Sequence, residues 1–325
     1  MVTIKDVAKA CGVSIATVNR AISDKPDVSQ KTREKVLKKI DELGYIPQFM
    51  ARSLVSGKTH IIGLIVFDVM NPFFGELTAV INRLLRKRGY RLQTCIIDNS
   101  LEDEKEAINH LASLNVDGIL FIPLHKSAEF ASWIKKLPTK VISLLNELDN
   151  EIDFLGVGEK EAMETAVGWI HQKGYERLLY LSPPLHWRGN KNLDTIERRL
   201  EGVVKASEHL FPGSSLEVRT DEGYLERSRE WLRESSQKSA ILCSNDIYAL
   251  DILKASREWG LKIPQDFGLM GFDNIDTLRY LETNITSVYY PVEKVAKAAV
   301  ECLFSQHEKP IHQRFPTKIR HGESL

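Results

Sequence analysis

From Lys58 onward the chain alternates short continuous apolar runs with longer amphipathic segments, and few folds accept that pattern. The apolar runs fall at residues 61–66, 92–97, 119–122, 141–144, 178–181, 240–243 and 268–271. Between them, segments such as 75–88 and 101–114 carry apolar residues at helical spacing. Strands that are apolar on both faces, alternating with helices, fit parallel sheets covered on both sides. Seven such units suit two doubly wound subdomains better than one sheet. Open parallel sheets bind ligands outside the carboxyl ends of their strands, so the expected site is the cleft between two facing lobes.

A length of 325 residues exceeds what one core usually serves, and a hydrophobic fraction of 43% can fill more than one. No apolar run approaches a membrane span, and the first residues lack the layout of a signal peptide, so the expectation is a cytoplasmic protein with no membrane partner. Cys11, Cys95, Cys243 and Cys302 are far apart and form no CxxC pair, which reads as reduced core thiols rather than disulfides or a metal site. The body shows no GxSxG, P-loop, GxGxxG or HExxH, and its nine histidines form no ligand-spaced cluster. These absences give an expectation of no enzyme activity, no catalytic residue, no metal and no cofactor.

The first 58 residues differ in charge from the rest. They hold eleven Lys/Arg against six Asp/Glu, and the remainder holds 33 against 38. A small basic head on an acidic body implies that only the head meets a polyanion. In the stretch TIKDVAKACGVSIATVNRAIS, Ile4, Val7, Ala8 and Cys11 share one helical face, with Thr3 placed as cap and Gly12 as stop. Ser14 can cap a second helix whose inward face is Val18, Ala21 and Ile22. A third follows Ser29, keeps its period through Val36, Ile40 and Leu43, and stops at Gly44. Two helices joined by a tight turn and followed by a third form a helix-turn-helix layout. With Val18, Ala21 and Ile22 inward, Ile15, Ala16, Asn19 and Arg20 face outward, and these side-chain types read base edges. A three-helix bundle docking a protein partner is the alternative on this pattern alone.

The run TIKDVAKACGVSIATVNRAIS, followed by DKPDVSQKTREKVLKKIDELGYIPQFMARSL, resembles the DNA-binding head of the LacI/GalR family of bacterial transcriptional regulators. The resemblance spans roughly the first 57 residues and continues into the body. It implies that Ile15 and Ala16 set operator preference, that Arg20 contacts bases or backbone, and that Asn19, where most members carry Ser, lies beside them. It places Thr3, Ser14 and Thr17 on phosphates and Tyr45 beside the DNA backbone. GYIPQFMARSLVSGKT resembles the family's hinge helix, in which small Ala51 lets two helices approach and Leu54 wedges into a minor-groove step. The implied organisation is a DNA-binding domain at 1–46, a hinge at 47–58, and a body at 59–325. The body resembles periplasmic sugar-binding proteins, with one subdomain formed by about 59–157 plus 289–325 and the other by about 158–288.

In the cleft, Asp68, Phe73 and Phe74 follow the first strand in FDVMNPFFGEL, Asn245 and Asp246 follow ILCS, and Asp273 ends GLMGFDN. The family's effector contacts map onto Phe73, Phe74, Arg199, Asn245 and Asp273, and Asp68 suits a small polar ligand as well. Asp246 reads better as the first residue of a helix, Phe74 reads equally well as core, and Arg199 and Asp273 either hold the ligand or pair with each other. The body departs from the family where GVGEKEA puts Gly158 and Glu159 at an Asp-Asn position, and in EVRTDEGYLERSREWL, where Trp187 or Tyr224 would have to replace an aromatic wall.

The resemblance implies a repressor that binds a palindromic operator as a homodimer or tetramer, with affinity controlled by a carbohydrate or sugar phosphate in the cleft. Its rivals are a purine-responsive repressor, a regulator with a vestigial cleft governed by a protein corepressor, a solute-binding transport protein and an enzyme.

Overall fold

The computed structural model describes residues 2–22, 26–45, 57–98, 100–184, 194–211, 216–220 and 223–325, and the backbone of 186–187 and 190–191. The hinge residues Ala51 and Leu54 lie outside the described residues. The chain divides into two compact units, Met1–His60 and Ile61–Leu325.

Three helices make the first unit: α1 (Ile4–Cys11), α2 (Ile15–Ile22) and α3 (Gln30–Leu43). Their ends are fixed locally. Thr3 caps α1, with its N–H and hydroxyl donating to Asp6 at 2.8 and 2.7 Å. Gly12 stops that helix at φ 64°, a left-handed conformation that costs glycine little. Ser29 accepts from the Thr32 N–H at 3.2 Å to open α3, and Gly44, at φ 61°, closes it. Val7, Cys11, Val18, Ala21 and Val36 meet in one apolar core, each large aliphatic contributing about 1.5–3 kcal/mol when fully buried.

The second unit holds two six-stranded sheets, as the alternation of runs requires. All seven expected strands form, with ends shifted by at most two residues: β1 (Ile61–Val66), β2 (Arg91–Ile96), β3 (Ile119–Phe121), β4 (Val141–Leu144), β6 (Arg177–Leu181), β10 (Ser239–Cys243) and β11 (Gly268–Asp273). Further strands join them: β5 (Phe154–Val157), β9 (Leu216–Arg219), β12 (Thr286–Tyr289), β13 (His312–Phe315) and β14 (Lys318–Arg320), besides a two-stranded hairpin of β7 (His186–Trp187) and β8 (Asn190–Lys191). The first sheet runs β13-β5-β4-β3-β1-β2 and the second β14-β12-β11-β10-β6-β9. Every pairing in the six-stranded sheets is parallel except β12 with β14, which is antiparallel.

The helices are α4 (Pro72–Lys87), α5 (Leu101–Ser113), α6 (Ala128–Lys135), α7 (Glu159–Gln172), α8 (Asp194–Leu210), α9 (Tyr224–Arg233), α10 (Asp246–Trp259) and α11 (Val292–Phe304). After β12 the chain crosses back, and α11 packs on α4. The tail then divides: β13 adds to the first sheet beside β5, whereas β14 adds to the second beside β12. Residues 289–325, expected to complete the first lobe, therefore stitch both lobes. Helices α7 and α8 lie against each other at Gly202, where a Cβ would come 2.3 Å from the Lys160 carbonyl oxygen. Among the described residues no helix is long and apolar enough to cross a membrane, and all four cysteines are free thiols.

Candidate functional site

On α2, Val18 and Ala21 are buried while Ile15, Ala16 and Arg20 are exposed, with Asn19 half-buried, and Ser14 just before the helix is exposed. Ile15 leaves 40% of its surface in solvent, an apolar side chain held out at the first turn of the helix. Arg20 Nη1 lies 3.2 Å from Asp27 Oδ2 in an exposed ion pair, which holds the guanidinium at this face but adds little stability. Thr3, Ser14 and Thr17, expected on phosphates, use their hydroxyls in caps: Ser14 Oγ accepts from the Thr17 N–H at 3.1 Å and lies 2.9 Å from Thr17 Oγ1. Tyr45 is the residue expected beside the DNA backbone. It belongs to the core of the head, because the turn after Gly44, closed by the Tyr45 N–H on the Ile40 carbonyl, folds its ring inward.

In the body, a cavity of about 610 Å³ opens between the carboxyl ends of the strands of the two sheets. Phe67 and Asp68 after β1, Leu145 and Asn146 after β4, Ser244 and Asn245 after β10, and Asp273 ending β11 all line it. Each of the six residues named for the cleft from sequence, Asp68, Phe73, Phe74, Arg199, Asn245 and Asp273, lies on its wall. Several have a second task. Asn245 Oδ1 caps α10 by accepting the Ile247 and Tyr248 N–H groups at 3.0 and 3.1 Å. Asp68 Oδ1 accepts from Met70 and Asn71 at 3.0 and 3.1 Å, forming the turn that leads into α4. Phe73 and Phe74 are core residues as well as wall, with Phe73 meeting Tyr290 edge-on at 5.0 Å and Phe74 meeting Phe67 at 4.8 Å.

Arg199 is the centre of the site's electrostatics. Its Nε donates to Glu159 Oε2 at 2.6 Å, Nη1 donates to the Ser244 carbonyl, and Nη2 lies 3.7 Å from Asp273 Oδ1. The guanidinium also stacks over the Phe272 ring at 3.6 Å. Both carboxylates are almost wholly buried. Burial pushes Glu159 above the usual carboxylate range despite Arg199, and pushes Asp273 well above it, where the Arg199 charge only partly compensates. Asp273 and Asn274 are held at φ 100° and 55°, a strained pair of the kind that gathers at functional sites. Arg199 and Asp273 face each other at 3.7 Å, and both line the cavity.

Asp246 is a structural residue, as its position at the start of a helix suggests. It accepts from Ser287 Oγ at 2.7 Å and from the Ile275 N–H at 2.8 Å, and burial lifts it to about 7. It also sits against Gly271, where a Cβ would lie 2.1 Å from Oδ1.

Glu159 was legible only as a departure from a pattern, and Tyr248 and Asp251 were not legible as site residues at all. Tyr248 and Asp251 are three residues apart on α10, a spacing that puts them on one helix face. Tyr224 donates its hydroxyl to Asp251 Oδ2 at 2.5 Å and meets Tyr248 edge-on at 4.9 Å, and all three line the cavity. The side chain of Trp187 lies outside the described residues.

Polar contacts bridge the lobes around the cavity. Asn146 Oδ1 accepts the Thr195 N–H at 3.0 Å, satisfying an open donor at the N-terminus of α8. Lys126 pairs with Asp194 at 3.3 Å, Arg198 with Glu147 at 3.6 Å, and Glu76 accepts the Asp276 N–H at 2.6 Å. Away from the cleft, Asp153, Cys302 and His307 bring metal-type donors together, yet the Lys140 ammonium lies 3.2 Å from Asp153 and burial lifts the Cys302 thiol to about 12. That group is an ionic tether for the returning tail.

Known proteins bear on both units. Residues 3–48 match the model described as bacterial regulatory proteins, lacI family, and residues 167–325 match a periplasmic binding protein-like domain. Catabolite control protein A of Priestia megaterium is 30% identical over 307 residues, covering 93% of this chain and 91% of its own. The chain belongs to the lacI family of bacterial regulatory proteins. Within this lacI-family chain the similarity is continuous, since the HTH-type transcriptional repressor PurR of Vibrio vulnificus (strain CMCP6) is 29% identical across 98% of this chain and 97% of its own. A solved lac repressor dimer, bound to operator and the anti-inducer ONPF, superposes with a TM-score of 0.85 at 22% identity, covering 99% of this chain and 98% of that one. This lacI-family protein is accordingly a DNA-binding transcriptional regulator, and the relatives it matches are regulators, not enzymes.

Proposed function

We propose that this lacI-family protein is a repressor that binds a roughly palindromic operator as a homodimer and is controlled by a small hydroxylated molecule in the cleft between its lobes. The observation that carries the DNA half is the division of α2, with Val18 and Ala21 inside and Ile15, Ala16 and Arg20 outside. Short apolar side chains at the first turn suit thymine methyls, and Arg20 supplies bidentate recognition of guanine once it leaves Asp27. Ala51 and Leu54 are assigned to the hinge contact in the minor groove. Dimerisation through the body fits the exposed apolar residues Val69, Met70 and Ile96 on the first lobe and Tyr280 on the second.

An open cavity of about 610 Å³ supports a working pocket over a vestigial one. Its amide, carboxylate and guanidinium groups suit a ligand rich in hydroxyls. Ligand binding would act through the contacts that bridge the lobes, Asn146 with Thr195 and Glu147 with Arg198, because a ligand shifts an equilibrium only by its differential affinity for the two arrangements. A purine effector is the second reading, favoured by the PurR relatives and the aromatic wall of Phe67, Phe74 and Tyr248. Fluorescence anisotropy on an operator obtained by in vitro selection, titrated with and without sugars and purines, tests this reading. A ligand that shifts the binding midpoint supports it, and a midpoint unmoved by every ligand overturns small-molecule control.

A further inference from the structure

The walls of the cleft carry an imbalance of charge. Among the described residues lining it, the acids are Asp68, Asp98, Asp251 and Asp273, and the cation is Arg199. That cation is already engaged. Glu159 takes its Nε at 2.6 Å, the Ser244 carbonyl takes Nη1, Asp273 lies 3.7 Å from Nη2, and the Phe272 ring covers its face. Glu159 comes from within the chain and takes Arg199 Nε, one of the donors that a carboxylate or phosphate of a ligand would use. An anionic ligand would therefore meet a guanidinium shared by two carboxylates, with three more acids around it.

One corner is built differently. Asp251 gives only Oδ2 to the Tyr224 hydroxyl, and Oδ1 has no hydrogen-bond partner among the described residues. The Tyr224 and Tyr248 rings meet edge-on beside it, with centroids 4.9 Å apart. A carboxylate flanked by two electron-rich rings is a recognition site for an ammonium group, which gains from both the charge and the ring faces. Neutral polar groups complete the wall. Asn245 spends Oδ1 on the cap of α10, leaving its amide N–H groups as donors, and the buried Ser244 Oγ has no partner among the described residues.

We propose, building on the reading of this cleft as the effector site, that its ligand is a hydroxylated ring bearing a protonated amine, of the amino-sugar class. The amine sits on Asp251 between Tyr224 and Tyr248, and the pairing of Arg199 with Glu159 turns away phosphorylated and carboxylated rings.

Calorimetric titration of the full chain with matched sets tests the assignment: glucosamine, glucose and glucose 6-phosphate; galactosamine, galactose and galactose 6-phosphate; adenine and AMP. The expected result is that an amino sugar binds at least about tenfold more tightly than its neutral counterpart and that the phosphates give no heat. Asp251→Asn should then lose at least about tenfold in amino-sugar affinity, while Glu159→Gln, which frees Arg199, should gain binding of the matching phosphate. A phosphate or neutral ring that binds as tightly as its amine, or an Asp251→Asn variant that binds the amine unchanged, overturns the proposal. If a neutral sugar or adenine binds and shifts operator affinity, the effector reading stands and the amine assignment alone fails. If nothing binds and operator affinity ignores every compound, both fail.

Discussion

Glu159, the first residue of α7, and Arg199, in the second turn of α8, form a 2.6 Å ion pair that is 92% or more removed from solvent on both sides. The N-terminus of α7 favours the carboxylate through its open N–H groups, and the neighbouring helix supplies the guanidinium. Burial makes this pair costly to break from one side. Glu159→Ala should destabilise the body by about 3–5 kcal/mol, because it strands a buried cation. The paired replacement of Glu159 by Leu and Arg199 by Met should recover most of that loss. Urea unfolding followed by tryptophan fluorescence reads the body alone, since all five tryptophans lie beyond residue 60. Equal losses in the single and paired variants would contradict the account.

The stability of the body should carry a titration from Asp246. Its folded value is about 7 against 3.8 for the free side chain, so the folded state holds an extra proton between those values. The stabilisation is therefore full below the unfolded value and is lost as pH rises through about 7, a change on the order of 4 kcal/mol. Asp246→Asn keeps the size of the group without the proton. The difference in unfolding free energy between wild type and this variant should fall as pH rises from about 5 to about 7.5, and a difference flat across that range would show that Asp246 does not titrate there.

At the DNA face, Arg20→Ala should weaken binding to the selected operator by about 1–3 kcal/mol and relax preference at one base pair in each half-site. Asp27→Ala should act oppositely or not at all, since it only releases Arg20 from an exposed pair. Competition anisotropy against single-base operator variants measures both. An Arg20→Ala protein with the wild-type preference would remove Arg20 from base reading.

For the hinge, Leu54→Ala should reduce DNA bending together with affinity, because it removes the apolar wedge proposed to open the base step. Circular-permutation gel shifts read the bend angle directly. Mobility identical to wild type would count against the wedge.

How much was visible beforehand follows from where the information lies. Thr3, Gly12, Ser29 and Gly44 mark the ends of the head helices within a few residues of what they control, so local spacing reveals them. The seven apolar strands are equally legible, since a strand covered on both faces must be apolar throughout. β9, β13 and β14 are short and polar, and they exist because a neighbouring strand supplies hydrogen bonds, which no local pattern encodes. The cleft divides the same way. Asp68, Asn245 and Asp273 follow apolar runs and announce themselves, but Glu159 meets Arg199 across 40 residues and Tyr224 meets Asp251 across 27. Those pairs depend on how helices pack, and the close approach at Gly202 that permits the first could be recognised only once α7 and α8 were seen together.

In vitro selection from random duplex DNA with the full chain tests the central claim most directly. The account predicts enrichment of a roughly palindromic sequence, bound at least about a thousandfold more tightly than random duplex at physiological salt, with the enrichment lost in a variant whose Ile15, Ala16 and Arg20 are all replaced. Recovery of no common sequence, or of one that the triple variant binds equally well, would contradict it.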